Sequence, residues 1–273
     1  MKFIFCMPGR DILLTEQERS GKNMAFYYER CREVTYNLGL EAFESNVGTL
    51  MTLSDEEIDY LAKKYPRGGL GLYAVNGFLA GMPNIVTANG EEKNTVLAHI
   101  AKTVSRLEKL GAKIIVFGSG WNRKIPEDAD FGKAEETICA YIKYAASLCE
   151  KAGLTLVLEP LNRSETNWCN SVKAGAETVR KLSLPSFRLL ADGYHMAKEN
   201  EDLEVIEKNG DILRHCHIAS ENRRAPGSTQ YEKDFLSALK KIGYDGAVSV
   251  ECGYSDFFAE APRALKFMKK TVS

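Results

Sequence analysis

Short apolar runs alternate eight times with longer amphipathic stretches along the 273-residue chain, and this alternation constrains the fold more than any other feature. A short apolar run favours a buried strand, whereas a longer amphipathic stretch favours a helix. The predicted strands are Lys2–Cys6, Leu40–Glu44, Gly69–Val75, Lys113–Phe117, Leu154–Glu159, Phe187–Asp192, Leu213–Ile218 and Ala247–Glu251. The predicted helices are Asn23–Leu38, Ser54–Tyr65, Glu91–Leu110, Lys133–Ala152, Ser171–Leu182, Asp202–Asn209, Tyr231–Ile242 and Phe257–Lys270.

Strict alternation of this kind predicts a parallel sheet, and eight units is the number that closes a (β/α)8 barrel. A doubly wound open sheet is the structural alternative, but no strand is followed by a GxGxxG or GxxxxGK[ST] loop. In the fifth strand, Thr155, Val157 and Glu159 share one face and leucines occupy the other. Because this arrangement fits a filled barrel, we predict an α/β fold, a single (β/α)8 TIM barrel in one domain spanning residues 1–273.

Composition disfavours several classes of protein. The formal net charge of -1, without a long basic run, gives little attraction for nucleic acid or anionic lipid. Seven cysteines without CxxC spacing predict free thiols in a reducing compartment rather than a disulfide framework. The apolar start is too short for a signal sequence, and no apolar run reaches transmembrane length. We therefore expect a cytoplasmic protein that binds neither nucleic acid nor membrane.

Two histidines stand near the end of the seventh predicted strand, just before a polar loop that carries Arg223 and Arg224. Side chains alternate along a strand, so His215 and His217 point to the same face. Paired imidazoles followed by a loop with two arginines indicate a site that binds a metal ion and a substrate. His215 lies two residues deeper than His217, so we expect it to support the site or to be structural.

Candidate metal ligands end four consecutive predicted strands, and the active site of such a barrel lies at these carboxyl ends. Glu159 ends the fifth strand and Asp192 the sixth. His217 lies on the seventh strand and Glu251 ends the eighth. Each alone has an ordinary alternative, a salt bridge for an acid or a local hydrogen bond for the histidine. Three carboxylates with one imidazole suit Mn²⁺, Mg²⁺ or Co²⁺ with open positions better than a closed structural zinc.

The motifs at these strand ends resemble those of the xylose isomerase-like TIM-barrel superfamily, with the D-tagatose 3-epimerase/D-psicose 3-epimerase type of sugar epimerase as the nearest branch. The motifs that carry the resemblance are Glu159-Pro160-Leu161-Asn162-Arg163, Asp192-Gly193-Tyr194-His195, His215-Cys216-His217, Glu221-Asn222-Arg223-Arg224 and Val116-Phe117-Gly118-Ser119-Gly120. The resemblance runs through the whole barrel, but its specific motifs are concentrated in the C-terminal half.

The resemblance implies a role for each matching residue. One divalent metal ion is held by Glu159, Asp192, His217 and Glu251, with Mn²⁺ preferred over Mg²⁺, Co²⁺ or Zn²⁺. The family's substrate-contacting residues match Glu165, His195 and Arg223. The implied ligand is a small-molecule sugar, and a homo-oligomer formed through the outer helices stays an open expectation.

The chemistry implied by the resemblance is proton transfer next to a carbonyl group. A metal ion bound to a ketose stabilises the negative charge of the enediolate that forms. Glu159 and Glu251 then serve as the catalytic acid and base on opposite sides of the reacting carbon, and which of them is the base depends on the epimer.

Other activities of the same superfamily stay open. An inosose dehydratase or a hydroxypyruvate-type isomerase would use a similar metal and similar acids. A non-catalytic carbohydrate-binding barrel is a third alternative, although it has no need of both glutamates. An AP endonuclease is disfavoured, because its three zinc ions need many more ligands and this chain has only four histidines. Its nearly neutral net charge also gives little attraction for DNA.

Several further residues have two competing interpretations. Glu44 is expected to contact substrate or to form a surface salt bridge. Trp121 and Trp168 are expected to line a sugar pocket or to be packing residues. We expect His99 to be structural and Arg224 to be a solvated loop charge.

Overall fold

The computed structural model describes residues 1–21, 23–227 and 229–273, and within these ranges eight strands form one parallel sheet. Every strand is followed by helical structure, as the alternation predicts. The strands are β1 (Lys2–Phe5), β2 (Phe43–Asn46), β3 (Leu72–Asn76), β4 (Ile114–Phe117), β5 (Thr155–Leu158), β6 (Phe187–Asp192), β7 (Leu213–Ile218) and β8 (Ala247–Val250).

Long outer helices alternate with short helical segments at the carboxyl ends of the strands. The helices of the described ranges are α1 (Arg10–Leu13), α2 (Glu16–Gly21), α3 (Met24–Asn37), α4 (Val47–Met51), α5 (Asp55–Lys64), α6 (Gly90–Leu110), α7 (Phe131–Ala152), α8 (Val172–Leu182), α9 (Gly193–Lys198), α10 (Glu204–Lys208), α11 (Gln230–Lys241) and α12 (Phe257–Val272). Two short 3₁₀ turns occupy Pro66–Gly68 and Trp121–Arg123.

The strand order β1-β8-β7-β6-β5-β4-β3-β2 curls the sheet into a nearly closed barrel. The seam between β1 and β2 is bridged at Cys6 and Glu44, and the amide of Met7 donates to the carbonyl oxygen of Glu44 at 2.9 Å. The predicted (β/α)8 barrel is therefore confirmed, and a doubly wound sheet is wrong because the sheet curls back on itself.

The core has an outer layer between the strands and the helices and a small plug inside the barrel. The inner plug consists of Ala74, Ile114, Val116, Val157 and Leu190. Val157 lies two residues before Glu159 on the same face of the chain, so the plug forms the apolar floor beneath that carboxylate.

Helix boundaries follow the capping signals in the sequence. Ser54 and Glu57 form a reciprocal capping box at the start of α5. Gly111 and Gly153 end α6 and α7 in the left-handed conformation, with φ of 75° and 67°. These residues fix where each outer helix ends and thus where the next strand begins.

The predicted bounds of β2 are wrong by three residues at its start and two at its end. Leu40 is buried, but its amide donates to Thr35 in the turn after α3, so its apolar side chain reflects packing and not strand pairing. The strand begins at Phe43 and continues to Asn46. Glu44 therefore lies inside the strand and not at its end.

None of the helices in the described part of the chain combines the length and the apolar character needed to cross a membrane.

Candidate metal centre and active site

Four side chains from consecutive strands meet inside the mouth of the barrel. Glu159 follows β5, and Asp192 ends β6. His217 lies one residue before the end of β7, and Glu251 follows β8. One ligand atom from each lies within 4.8 Å of the other three. The structure thus brings together all four predicted ligands, referred to below as the ligand cluster, and their role in metal binding stays a prediction.

Backbone hydrogen bonds extend the sheet by one residue at both glutamates. The amide of Glu159 donates to the carbonyl oxygen of Phe117 at 3.2 Å. The amide of Glu251 donates to the carbonyl oxygen of Ile218 at the same distance, 3.2 Å. Both side chains are consequently placed by rigid strands and not by flexible loops.

The carboxyl groups of the ligand cluster perturb one another's ionisation. Burial raises the pKa of Asp192 and of Glu251, and the negative charge of Glu159 raises both further against the opposing effect of nearby imidazoles. Burial also acts to raise the pKa of Glu159, but His217, His195 and Arg123 together outweigh it and the net shift is downward. Carboxyl groups packed this closely resist simultaneous ionisation unless a cation compensates their charge.

The donor set and the space around it fit a divalent cation. Carboxylate oxygens with one imidazole nitrogen are ligands of Mn²⁺, Mg²⁺ and related ions in open sites. Gly118, which follows β4, leaves room for the carboxylate of Glu159. A Cβ at this position would lie 2.2 Å from Oε2 of Glu159. The residues present therefore suit such an ion chemically and sterically.

His217 is completely buried, and its ring nitrogens face different carboxylates. Nδ1 lies 3.0 Å from Oε1 of Glu159, and Nε2 lies 3.1 Å from Oε1 of Glu44. Although burial acts to lower it, the pKa of His217 is raised well above its usual value by Glu44, Glu251 and Glu159. Carboxylates only accept hydrogen bonds, so without a cation Nε2 donates to Glu44 and Nδ1 donates to Glu159.

The sequence-based interpretation of Glu44 as a surface salt bridge is wrong, because the residue is 0 % exposed inside the barrel. Its contact with a substrate stays a prediction. It accepts hydrogen bonds from Nε2 of His215 at 2.8 Å and from Nε2 of His217. Burial acts to raise its pKa, but the two histidines bring it well below the usual value. The deeper histidine thus supports the site, as its position in the strand predicts.

Arg223 joins two carboxylates at the rim of the barrel. Its Nη1 donates to Glu165 at 2.8 Å and its Nη2 to Glu251 at 3.0 Å. The guanidinium also lies 5.0 Å from the ring centroid of Tyr194. Its backbone has a φ of 57°, a left-handed conformation that costs a non-glycine residue about 1–2 kcal/mol. This strain is retained where the side chain links two predicted site residues.

His195 presents a buried N–H group without a partner among the described residues. Its Nδ1 accepts a hydrogen bond from the amide of Asn162 at 3.1 Å, so the proton resides on Nε2. Nε2 is buried, lies 3.6 Å from Oδ2 of Asp192 and forms no hydrogen bond within the described structure. A buried N–H group without a hydrogen-bond partner beside the ligand cluster is suited to donate a hydrogen bond to a substrate oxygen.

Asn76 is a site residue that the sequence does not single out. Its Nδ2 donates to Oε1 of Glu251 at 2.6 Å and to Sγ of Cys6 at 3.1 Å. Its side-chain oxygen accepts from Asn46 at 2.9 Å. The available signal was its place as the last residue of an apolar strand, the same kind of position as the acidic ligands occupy.

The two tryptophans have different environments. Trp168 is 2 % exposed and packs against the guanidinium of Arg123, which lies 5.3 Å from its ring centroid. It is a packing residue, and the expectation that it lines a pocket is wrong. Trp121 is 71 % exposed after β4, so it is not a packing residue.

Two peripheral predictions have opposite outcomes. His99 is structural as predicted, because its Nε2 lies 2.8 Å from the carbonyl oxygen of Phe78 in a buried contact. Arg224 is not merely solvated, because it forms an ion pair of 3.2 Å with Glu260 and a hydrogen bond with Ser255. This pair ties the loop after β7 to helix α12.

A protein-family model described as xylose isomerase-like TIM barrel matches residues 33–271. D-psicose 3-epimerase from Agrobacterium fabrum is 25 % identical over 227 residues, which cover 80 % of this chain and 77 % of that protein. The 3-dehydro-D-guloside 4-epimerase from Escherichia coli is 26 % identical over 246 residues, which cover 84 % of this chain and 90 % of that protein.

A solved structure of D-psicose 3-epimerase in the presence of D-fructose has the same fold. It matches with a TM-score of 0.80 at 21 % identity and covers 100 % of this chain and 99 % of that chain. At this identity the likeness concerns the fold alone.

Proposed function

The chain belongs to the xylose isomerase-like TIM barrel family, and from this membership we propose that it is a divalent-metal-dependent sugar epimerase. The substrate is a ketose or a related polyhydroxy ketone, and the reaction inverts the carbon next to the ketone. The observation that carries the proposal is the convergence of both candidate acid–base glutamates with Asp192 and His217. The two relatives described above, both named epimerases, support the same reaction class.

Glu159 and Glu251 form the acid–base pair. They follow β5 and β8, with β6 and β7 between them, so they approach a substrate from different sides. One carboxylate removes the proton from one face of the carbon, and the other carboxyl group returns a proton to the opposite face. Their pKa values are shifted in opposite directions, downward for Glu159 and upward for Glu251.

The ligand cluster holds the metal, with Mn²⁺ preferred on the chemistry of its donors. A divalent cation bound there would stabilise the negative charge that develops on the carbonyl oxygen as the enediolate forms. The strand-end position of each ligand fixes the geometry before substrate arrives.

Three residues at the rim bind and orient the sugar. Arg223 and Glu165 form an ion pair of 2.8 Å, and both side chains remain partly exposed. The unpartnered Nε2–H of His195 donates to a substrate oxygen. Hydrogen bonds from fixed donors of this kind select one orientation of the reacting carbon.

A keto-glycoside is the second candidate substrate class. The Escherichia coli relative, matched over 90 % of its own length, is named for a sugar that is oxidised at C3 and inverted at C4. The chemistry is the same, because the reacting carbon again neighbours the ketone. The two candidate substrates, a ketose and a keto-glycoside, differ in which carbon next to the ketone would lie between Glu159 and Glu251.

The proposal is tested by incubating the Mn²⁺-loaded protein with D-psicose, D-tagatose, L-ribulose and a 3-keto-glycoside and following each by NMR. We expect epimerisation of at least one and its loss in the Glu159→Gln and Glu251→Gln variants. Glu127→Gln, which changes an exposed glutamate on the loop after β4, is the matched control and is expected to be fully active. Loss of water from an inosose without any epimerisation, or full activity of either site variant, would contradict the proposal.

A further inference from the structure

The imidazole of His217 separates Glu44 from the carboxylates of the ligand cluster. Its Nδ1 faces the cluster, 3.0 Å from Oε1 of Glu159. Its Nε2 faces the other way and lies 3.1 Å from Oε1 and 3.3 Å from Oε2 of Glu44. Glu44 is therefore not a member of the ligand cluster, but it contacts His217, the only histidine in that cluster.

A second histidine holds Glu44 in this position. Nε2 of His215 donates to Oε2 of Glu44 at 2.8 Å. The rings of His215 and His217 are nearly perpendicular, with an interplanar angle of 82° and centroids 5.1 Å apart. Since Glu44 comes from β2 and both histidines from β7, the contact crosses the barrel interior, and two donors fix the orientation of the carboxylate.

We propose that Glu44 is a positioning residue for the metal site, an inference that rests on the metal-dependent function proposed above. Its carboxylate accepts the Nε2 proton of His217, which selects one tautomer and leaves the Nδ1 lone pair for the cation. The same hydrogen bond fixes the rotation of the ring. Partners of this type, on the nitrogen away from the metal, set both the tautomer and the basicity of a histidine ligand.

A separate metal site formed by Glu44, His215 and His217 explains the contacts less well. These residues are close enough to be considered for one. However, all three side chains are 0 % exposed, so a cation there would have no open position for a substrate. The ligand cluster differs, because the side chain of Glu251 is 18 % exposed at the barrel mouth.

The wild-type protein tests the tautomer directly. In ¹⁵N-labelled protein loaded with diamagnetic Zn²⁺, we expect His217 to carry its proton on Nε2 and to bind the metal through Nδ1. Long-range ¹H–¹⁵N spectra of the histidine rings distinguish the two nitrogens. Metal binding through Nε2, or an Nε2 without a proton, would overturn the inference, and this result does not depend on any variant folding.

The Glu44→Gln variant tests the same contact by affinity. An amide can donate to Nε2 as well as accept from it, so it no longer selects the tautomer, and we expect Co²⁺ affinity to fall about 10–100-fold. Glu201→Gln is the matched control, because Glu201 also accepts two N–H groups but at the start of α8. Its Co²⁺ affinity, measured by titration calorimetry, is expected to equal that of the wild type.

The possible failures are distinguishable. Wild-type affinity in Glu44→Gln overturns the positioning role and leaves the proposed metal-dependent function intact. If the wild-type protein itself binds no Co²⁺, the proposed function fails together with this inference. An equal loss of affinity in Glu201→Gln would mean that the effect is general and would also overturn the role assigned to Glu44.

Discussion

Nδ1 of His217 lies 3.0 Å from Oε1 of Glu159, so an imidazole proposed to bind metal directly contacts a glutamate proposed to transfer a proton. The contact joins β7 to β5 across the intervening strand and brings charges of opposite sign into the dry interior of the barrel. Binding and proton transfer are consequently coupled, and changes to either residue are expected to affect both.

Metal binding is expected to release protons. The pKa of His217 and those of Asp192 and Glu251 are all raised by the protein, so these groups keep protons that a cation must displace. Apparent affinity should therefore rise with pH and level off once the pH exceeds the raised values. Calorimetric titration with Mn²⁺ in buffers of different ionisation enthalpy, between about pH 5.5 and pH 8, measures the released protons. Affinity that stays constant across this range would contradict the expectation.

The Gly118→Ala variant should disturb the site without unfolding the barrel. The added Cβ would lie 2.2 Å from Oε2 of Glu159 and must displace that carboxylate. We expect kcat/KM to fall on the order of 100-fold, the usual consequence of misplacing a reacting group by about 1 Å. Gly132→Ala is the control, because its Cβ meets only Oδ1 of Asp130 at 3.3 Å. Wild-type kinetics in Gly118→Ala would show that the position of the carboxylate is not critical.

Asp192→Asn should stabilise the apoprotein while weakening metal binding. It removes one of the clustered carboxylates, whereas the amide oxygen can still cap α9 through the amide of Tyr194. We expect a gain of roughly 1 kcal/mol, or about 2–4 °C in Tm, for protein treated with a chelator. The gain in Tm on adding excess Mn²⁺ should be smaller than for the wild type.

Asp130→Asn provides the comparison for the Asp192→Asn substitution, because Asp130 caps the exposed start of α7 and is not a member of the ligand cluster. Its response to Mn²⁺ should match that of the wild type. A less stable Asp192→Asn apoprotein would refute the repulsion inferred among the clustered acids.

Arg223→Lys should retain the charge at the rim but lose activity. A lysine ammonium cannot bridge Glu165 and Glu251 with the fork geometry of the guanidinium. Loss of one charged hydrogen bond, worth about 1.5–3 kcal/mol, predicts a fall in kcat/KM of roughly 10–100-fold. Arg224→Lys keeps the neighbouring charge and is expected to change kcat/KM little. Equal kinetics for the two variants would exclude a special role for the bridging arginine.

The fold and the ligand cluster were predictable from the sequence because both depend on local patterns. Repeated apolar runs define the strands, and parity within β5 places Val157 and Glu159 on the inner face. Polar residues at the ends of the last four strands then mark the mouth of the barrel. Each of these inferences uses only residues that are near one another in the chain.

Glu44 and Asn76 were not predictable in the same way. The contact of Glu44 with His217 spans 173 residues, and that of Asn76 with Glu251 spans 175. Both depend on which side chains face each other across the closed barrel. The bounds of β2 were also missed, since Leu40 is apolar for packing reasons, and this error moved Glu44 from the interior of the strand to its end.

Solvent-hydrogen exchange tests the central claim most directly. The Mn²⁺-loaded protein converts the best substrate in D₂O, and NMR locates deuterium in the product. Proton transfer through Glu159 and Glu251 predicts one deuterium at the inverted carbon. It also predicts that Glu251→Gln forms no inverted product. A product that is fully inverted without solvent deuterium, or undiminished turnover after complete removal of divalent metal, would contradict the account.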